Sequence, residues 1–394
     1  MNTTKQNSSN LSNLSNLSNP SNPTIPNTDS KFNARQFWTY KRIRPAKCKK
    51  GSTLKNQIKK IFHEINGKIA TDKALTKRLD AQYIPPGYKD LIVAKSATNK
   101  IQVIGTDNRG RRQYIYNPAY VAKRNDRKYD DVIALGKKII NIENDNHSAL
   151  NSILNKKASS LSLPDDYIPI IIYMLRKYHF RIGNERYAEQ NDSYGITTLQ
   201  NRHIKFHSPS RFTIEFVGKK GIVNSYTDDN TTMAKLLKML INTSARNNTG
   251  NAATSHSPRH HIFSYQTPDN GHQLITPDHI QTFFQDRYNS YITPKMFRTW
   301  YGNYHMLEHL HDLFHKDLLA KRMKTADVNN TVKSCSEYVS SKLNNTPSIS
   351  RKSYIDNKLL ALVMKNPYRI AAQIPKDKAD QHRFLYKLIL KLRQ

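Results

Sequence analysis

Short apolar runs broken by turn residues occupy the first third of the chain, and longer runs with helical spacing follow. Between residues 71 and 125 the runs Leu91 to Ala94, Ile101 to Ile104 and Gln113 to Tyr116 are β-rich. Pro85-Pro86-Gly87, Thr98-Asn99 and Asp107-Asn108-Arg109-Gly110 punctuate them as turns. This pattern predicts a small β-sheet domain. From about residue 126 the spacing turns helical. The stretches "DDVIALGKKIINIEN" and "PDDYIPIIIYMLRKYHF" both carry Asp at their start, near the positive end of a helix dipole. The second is apolar on most faces, as a buried core helix would be. One hairpin interrupts the helices: Phe212, Ile214 and Phe216 share a face, and the chain turns at Gly218-Lys219-Lys220-Gly221. The terminal "HRFLYKLILKLRQ" predicts a basic amphipathic helix whose short polar face suits packing on the domain rather than on a membrane.

The expected fold class is thus α+β, a small β-rich N-terminal domain plus a larger, mostly helical domain with a β-hairpin. Composition sets the rest of the layout. Residues 1–35 repeat Ser, Asn and Leu and cannot bury enough apolar surface to order, so a disordered tail is expected there. Residues 36–70 are densely basic and read either as a tail that follows a phosphate backbone or as a solvated linker. Ordered structure is expected from residue 71, as a β-rich domain over 71–125 and a helical domain over 126–394. Within the latter, 243–260 is a low-complexity insertion.

Charge narrows the partner. Lys and Arg number 63 against 30 Asp and Glu, a net charge of +33 in 394 residues. Such an excess points to a polyanion, nucleic acid ahead of an anionic membrane surface, with a merely lysine-rich solvated surface as the bland alternative. No apolar run is long enough to span a bilayer, and the first residues carry neither a basic leader nor an apolar core of a signal peptide. Cys48 and Cys335 lie far apart without a CxxC context, which suits an intracellular, reducing compartment. The cluster "HSPRHH" has no acidic or thiol neighbours and reads as loop rather than metal site.

Candidate chemistry centres on Tyr354 in "LNNTPSISRKSYIDNKLL". A phenol ordinarily titrates near ~10, so it becomes a nucleophile only where other groups stabilise the developing charge. Attack on a phosphodiester would need fixed planar cations on two non-bridging oxygens, a role for Arg, and a mobile acid on the leaving oxygen, a role for Lys. Arg181 follows the buried helix and could serve there or bond that helix's terminal carbonyls. Lys219 sits at the hairpin tip. Arg298, in "ITPKMFRTWYGN", lies among aromatics that would fix it or simply cover its stem. Asn345, nine residues before Tyr354, could donate to a phosphate oxygen or form a turn before Thr346-Pro347. Each signal alone is weak.

Together and in this order they resemble the small type IB DNA topoisomerases, the poxvirus-type enzymes with viral and bacterial members. The resemblance runs from about Tyr83 to the C-terminus and rests on "GRRQYIYNP", "FRIGNERYAEQNDSYGITTLQNRHI", "EFVGKKG", and "FRTWYGN" followed by "NNTPSISRKSYI". It implies the tyrosine recombinase/topoisomerase IB catalytic fold and a monomer that clamps double-stranded DNA. It implies Tyr354 as nucleophile, forming a 3′-phosphotyrosyl link and releasing a 5′-hydroxyl. Arg181 and Arg298 would bind the non-bridging oxygens. Lys219 would protonate the leaving oxygen, with Lys220 adjoining it as the competing candidate and a DNA contact. Asn345 falls where poxviral members carry His and many bacterial members Asn. Arg111, Gln113, Tyr114, Tyr116, Arg186 and Tyr187 match positions that contact DNA, while Asn184 departs from the poxviral Lys. Such chemistry uses no cofactor, neither ATP nor metal, and the chain has no Walker loop and no carboxylate cluster suited to Mg²⁺.

Two alternatives remain. A tyrosine recombinase shares the constellation, but usually carries His three residues before the second Arg, where this chain has Lys295. A non-catalytic basic DNA-binding protein would leave Tyr354 as a surface aromatic.

Overall fold

The computed structural model describes residues 34–43, 62–157, 161, 163–247, 261–266, 272–316 and 325–394. Residues 1–33 of the tail expected over 1–35, the stretch 44–61 and most of the "HSPRHH" cluster lie outside these residues, while Ala34–Gln36 form a short helical turn. The chain divides into two compact units, Met1–Asp126 and Arg127–Gln394.

The first unit is an antiparallel sheet with one helix. Its strands are β1 (Phe37–Ile43), β2 (Phe62–Ile65), β3 (Lys68–Ile69), β4 (Lys89–Ala94), β5 (Ile101–Thr106) and β6 (Arg112–Tyr116), in the order β3-β2-β1-β4-β5-β6. Helix α1 (Lys73–Asp80) carries Leu79 into a small core with Tyr40, Ile84, Val93 and Val103. β2 and β3 are joined by Asn66-Gly67, both at positive φ, the backbone a two-residue hairpin needs and that Asn and Gly supply at least cost. Three strands therefore fall in the stretch expected to be a basic linker. The cations there misled. Phe37, Trp38 and Tyr40 give β1 enough apolar surface to pair between β2 and β4, while Lys41 stays exposed and Arg42 donates to Ile84 O at 3.1 Å. Among the described residues, regular structure is already present from residue 34 rather than from 71.

Among the described residues the second unit is helical, with a three-stranded sheet and a two-stranded ribbon. Helix α2 (Pro118–Leu154) starts before the expected residue 126, because Asn117 Oδ1 accepts from Ala119 N at 2.9 Å and Pro118 suits a first turn. α3 (Pro164–Lys177) has Asp165 and Asp166 in its first turn and buries Tyr167, Ile168, Ile170, Ile171, Ile172, Met174 and Leu175. Each such side chain contributes roughly 1.5–3 kcal/mol on burial, which fixes α3 as the centre of the core. α4 (Glu185–Asn191) follows, then the sheet of β7 (Ile204–Phe206), β8 (Arg211–Val217) and β9 (Val223–Asp229), in which the expected hairpin is β8–β9. Phe212, Ile214 and Phe216 are buried together, as the alternation requires. α5 (Thr231–Asn247) carries its helix through 243–247, the first residues of the expected insertion; 248–260 lie outside the described residues.

After the ribbon of β10 (Ser264–Gln266) and β11 (His272–Leu274) come α6 (Pro277–Tyr288), α7 (Pro294–Lys316), α8 (Thr325–Leu343), α9 (Pro347–Ser353), α10 (Asn357–Lys365), α11 (Pro367–Ala371) and α12 (Lys378–Lys391). α7 runs through the core. Its Trp300 is fully buried and donates from Nε1 to His382 Nδ1 on α12 at 3.0 Å, which seats the basic terminal helix on the domain. Among the described residues no helix is long and apolar enough to cross a membrane.

Candidate active site

Three side chains from distant parts of the second unit gather with Tyr354. Arg298, near the start of α7, is only 4% exposed. Its Nη2 donates to Leu343 O at 2.6 Å, its Nη1 to His179 O, and its Nε reaches Tyr354 Oη at 3.5 Å. The guanidinium carbon stands 5.1 Å from the Tyr354 ring centroid. Burial lowers the Arg298 pKa to about 10, opposed by the neighbouring phenol, so the group stays charged at neutral pH. Arg181, half-buried in the segment after α3, donates from Nη2 to Asn345 Oδ1 at 2.7 Å. Asn345 Nδ2 is buried and has no partner among the described residues.

Tyr354 caps α9 and is 8% exposed. Burial alone would raise its pKa. The Arg298 charge and hydrogen bond, then those of Arg181, outweigh burial and hold the phenol below its ordinary 10.0. A buried tyrosine whose acidity is increased is the opposite of the rule elsewhere in this unit. Tyr178 and Tyr301 are pushed upward by burial first and by the carboxylates they face second.

The backbone of Tyr354 is clamped as well. Asn303, fully buried on α7, donates to Tyr354 O at 3.0 Å and accepts from Asp356 N at 2.8 Å. Lys128 Nζ donates to Ser353 O at 2.7 Å. At Gly302 a Cβ would stand 3.0 Å from Tyr354 Cβ and 3.2 Å from Tyr354 O, so any larger residue would push Tyr354 by a few tenths of an ångström. Sequence reasoning missed Gly302, Asn303, Asn344 and the carbonyls of His179 and Leu343. The "YGN" that closes "FRTWYGN" was a signal for the first two. The carbonyls carry no side-chain signal at all.

Lys219 is not part of the cluster as it stands. It lies on the turn Lys219–Gly221 between β8 and β9, exposed, with no hydrogen bond or ion pair among the described residues. Lys220 beside it is exposed at φ +68°.

The catalytic-core family of eukaryotic DNA topoisomerase I matches residues 117–380, well over half of the chain. The chain belongs to the type IB DNA topoisomerase family. It is 28% identical over 299 residues to DNA topoisomerase 1B of Acanthamoeba polyphaga mimivirus, covering 74% of this chain and 80% of that protein. It is 27% identical over 174 residues to DNA topoisomerase 1B of vaccinia virus, covering 42% of this chain and 52% of the viral protein. A fungal relative, DNA topoisomerase 1 of Mycosarcoma maydis, matches at 22% over 152 residues, 15% of its length. The chain therefore spans about half the length of the vaccinia topoisomerase it matches.

The matched topoisomerase core includes every residue of the cluster. It leaves out Arg111, Gln113, Tyr114 and Tyr116, which lie on or beside β6 of the first unit. There Asp107 Oδ2 accepts from Arg111 Nε at 2.9 Å and from Gln113 Nε2 at 3.0 Å, fixing both side chains. The Arg111 hydrogen bond, with its charge, pulls the Asp107 pKa down to about 2. Tyr114, Tyr116 and Tyr120 form a stacked row, and Arg124 lies 5.6 Å over the Tyr116 ring. Arg186 is exposed on α4; the side chain of Tyr187 lies outside the described residues.

Proposed function

We propose that this type IB topoisomerase relaxes supercoiled duplex DNA by cutting and resealing one strand. Tyr354 Oη attacks phosphorus as its proton passes to solvent water, the P–O5′ bond breaks, and a 3′-phosphotyrosyl ester forms. Lys219 gives its proton to the departing O5′, leaving a 5′-hydroxyl. Religation runs the same steps backward. Arg181 and Arg298 hold the two non-bridging oxygens, and Asn345 Nδ2 donates to one of them. One phosphoester replaces another, so no nucleotide is consumed, and two guanidiniums occupy the places where a divalent cation would otherwise neutralise charge. Double-stranded DNA is bound by a monomer, with Arg111, Gln113, Tyr114, Tyr116, Arg186, Tyr187 and Lys220 against the duplex.

One observation carries this reading: Arg298 and Arg181 converge on a buried phenol and make it more acidic, beside a buried amide N–H that has no partner among the described residues. The test is plasmid relaxation with excess EDTA and no nucleotide, by the unaltered chain and by Tyr354→Phe. The unaltered chain should relax the plasmid and be trapped on DNA by detergent. Tyr354→Phe should do neither while binding duplex within about threefold of the unaltered chain, since phosphate contacts dominate affinity. Relaxation by Tyr354→Phe would refute the assignment.

A further inference from the structure

Three consecutive residues where α8 ends each hold a different part of the site. Leu343 O accepts from Arg298 Nη2 at 2.6 Å. Asn345 Oδ1 accepts from Arg181 Nη2 at 2.7 Å. Between them, Asn344 turns its side chain the other way. Its Nδ2 donates to Val223 O at 2.9 Å and to Asn224 Oδ1 at 3.0 Å, the first two residues of β9. Asn344 adopts φ +48°, a left-handed conformation that Asn tolerates better than most side chains. That backbone is what lets neighbouring amides face opposite directions.

Asn224 lies at the base of the turn that carries Lys219. It is buried and donates from Nδ2 to Ile222 O at 3.1 Å, while Gly218 N donates to the same carbonyl at 2.8 Å. The two sides of the turn are thus closed below Lys219, and Asn344 ties that closed base to the residues beside both arginines. Only the flexible stem of the lysine remains unheld.

We infer that Asn344 is a positioning residue that couples the Lys219 hairpin to the phosphate-binding side chains. It rests on the reading of Lys219 as the acid that protonates O5′. Without this tie, the base of the hairpin can shift independently of Arg181, Asn345 and Tyr354. The acid would then lose its alignment, while the nucleophile and the oxygen-binding cations would keep theirs.

A substrate that needs no acid separates this role from a general structural one. Replacing the bridging 5′ oxygen by sulfur gives a thiol leaving group with a pKa near ~8.5, which departs as thiolate without a proton. Single-turnover cleavage is measured with the oxygen and sulfur duplexes, using the full chain, Asn344→Gly and Lys219→Ala. Glycine removes the amide yet accepts the backbone freely. Asn344→Gly should slow the oxygen substrate by about tenfold or more, a part of the ~10²–10⁴ that general acid catalysis supplies. It should cleave the sulfur substrate within about threefold of the unaltered chain, as Lys219→Ala should. Should the glycine variant not fold, Asn344→Asp, which is isosteric and cannot donate, carries the same comparison. Smaller slowing on oxygen, or comparable slowing on both substrates, would overturn the coupling while leaving Lys219 in its role. A Lys219→Ala defect that sulfur fails to relieve would overturn the acid assignment itself, and the coupling with it.

Discussion

Replacing Arg298 by Lys keeps a positive charge and removes the fork that the site is built around. The guanidinium spans three acceptors at once: His179 O, Leu343 O and Tyr354 Oη. An ammonium has its donors on one atom and cannot reach both carbonyls and the phenol from the same stem. Whichever carbonyl it abandons is buried and unsatisfied, at a cost to stability of about 1–3 kcal/mol. A larger effect is expected on the chemistry. Loss of one fixed donor to a developing oxyanion typically costs ~2.7–4 kcal/mol, so cleavage should fall by about 10²–10³. Because Arg298 is the strongest of the charges lowering the Tyr354 pKa, the pH dependence should move too. A depressed pKa places the rising limb of the rate profile at lower pH. Removing the charge altogether, in Arg298→Ala, should shift that limb upward, and Arg298→Lys should shift it less. Single-turnover cleavage of a labelled duplex across pH, beside a thermal melt, measures both effects. If Arg298→Lys cleaves within about tenfold of the unaltered chain, charge alone suffices and the fork is not what the reaction uses.

Asn345→Asp should be more damaging than Asn345→Ala. It would place a carboxylate against Arg181, 2.7 Å from Nη2, and remove the buried donor, and the same cleavage assay ranks the two. Asn345→His keeps a donor and should stay within about tenfold of the unaltered chain, given that a side-chain hydrogen bond to a charged group is worth ~1.5–3 kcal/mol. Arg111→Ala should lower the slope of log affinity against log salt by about 0.9, the value of one phosphate contact, with little effect on cleavage once DNA is bound. An unchanged slope would remove Arg111 from the interface.

How legible each part was depended on whether side chains or backbone carry it. The β8–β9 hairpin could be read from Phe212, Ile214 and Phe216 because a period of two states which face is buried. α3 was legible because a run apolar on most faces has nowhere to go but the core. β1 was not, since four aromatic and apolar positions in "FWTYKRI" were outweighed by the Lys and Arg around them. Tyr354, Arg298, Arg181 and Asn345 were visible as residue types suited to phosphoryl transfer, but only the resemblance joined them. Their convergence rests on contacts across more than a hundred positions of chain, as from Arg181 to Asn345. Nothing in local spacing encodes that. The carbonyls of His179 and Leu343 are backbone atoms that any residue possesses, so what makes them ligands of Arg298 is where α3 and α8 end.

Those carbonyls also explain how the unit separates structural from reactive arginines. Arg176 is half-buried, but its Nη2 meets Glu143 at 2.8 Å, and Arg393 pairs with Asp356. A carboxylate neutralises a guanidinium, and such a pair has little field left for a third group. Arg298 is held by two carbonyls and Arg181 by a carboxamide, and among the described residues neither has an ion pair. Neutral acceptors fix the geometry while leaving the charge unspent. Burial of an unneutralised cation is costly, and the drop of the Arg298 pKa to about 10 records that cost. The same field makes Tyr354 more acidic in the free protein and is available to a phosphate that acquires negative charge as the phenol attacks. A carboxylate introduced beside Arg298, as in Leu343→Asp or His179→Asp, should therefore suppress cleavage more than the matching Asn variant of equal size. Equal loss from both would mean that packing at these positions, not the free charge, is what cleavage requires.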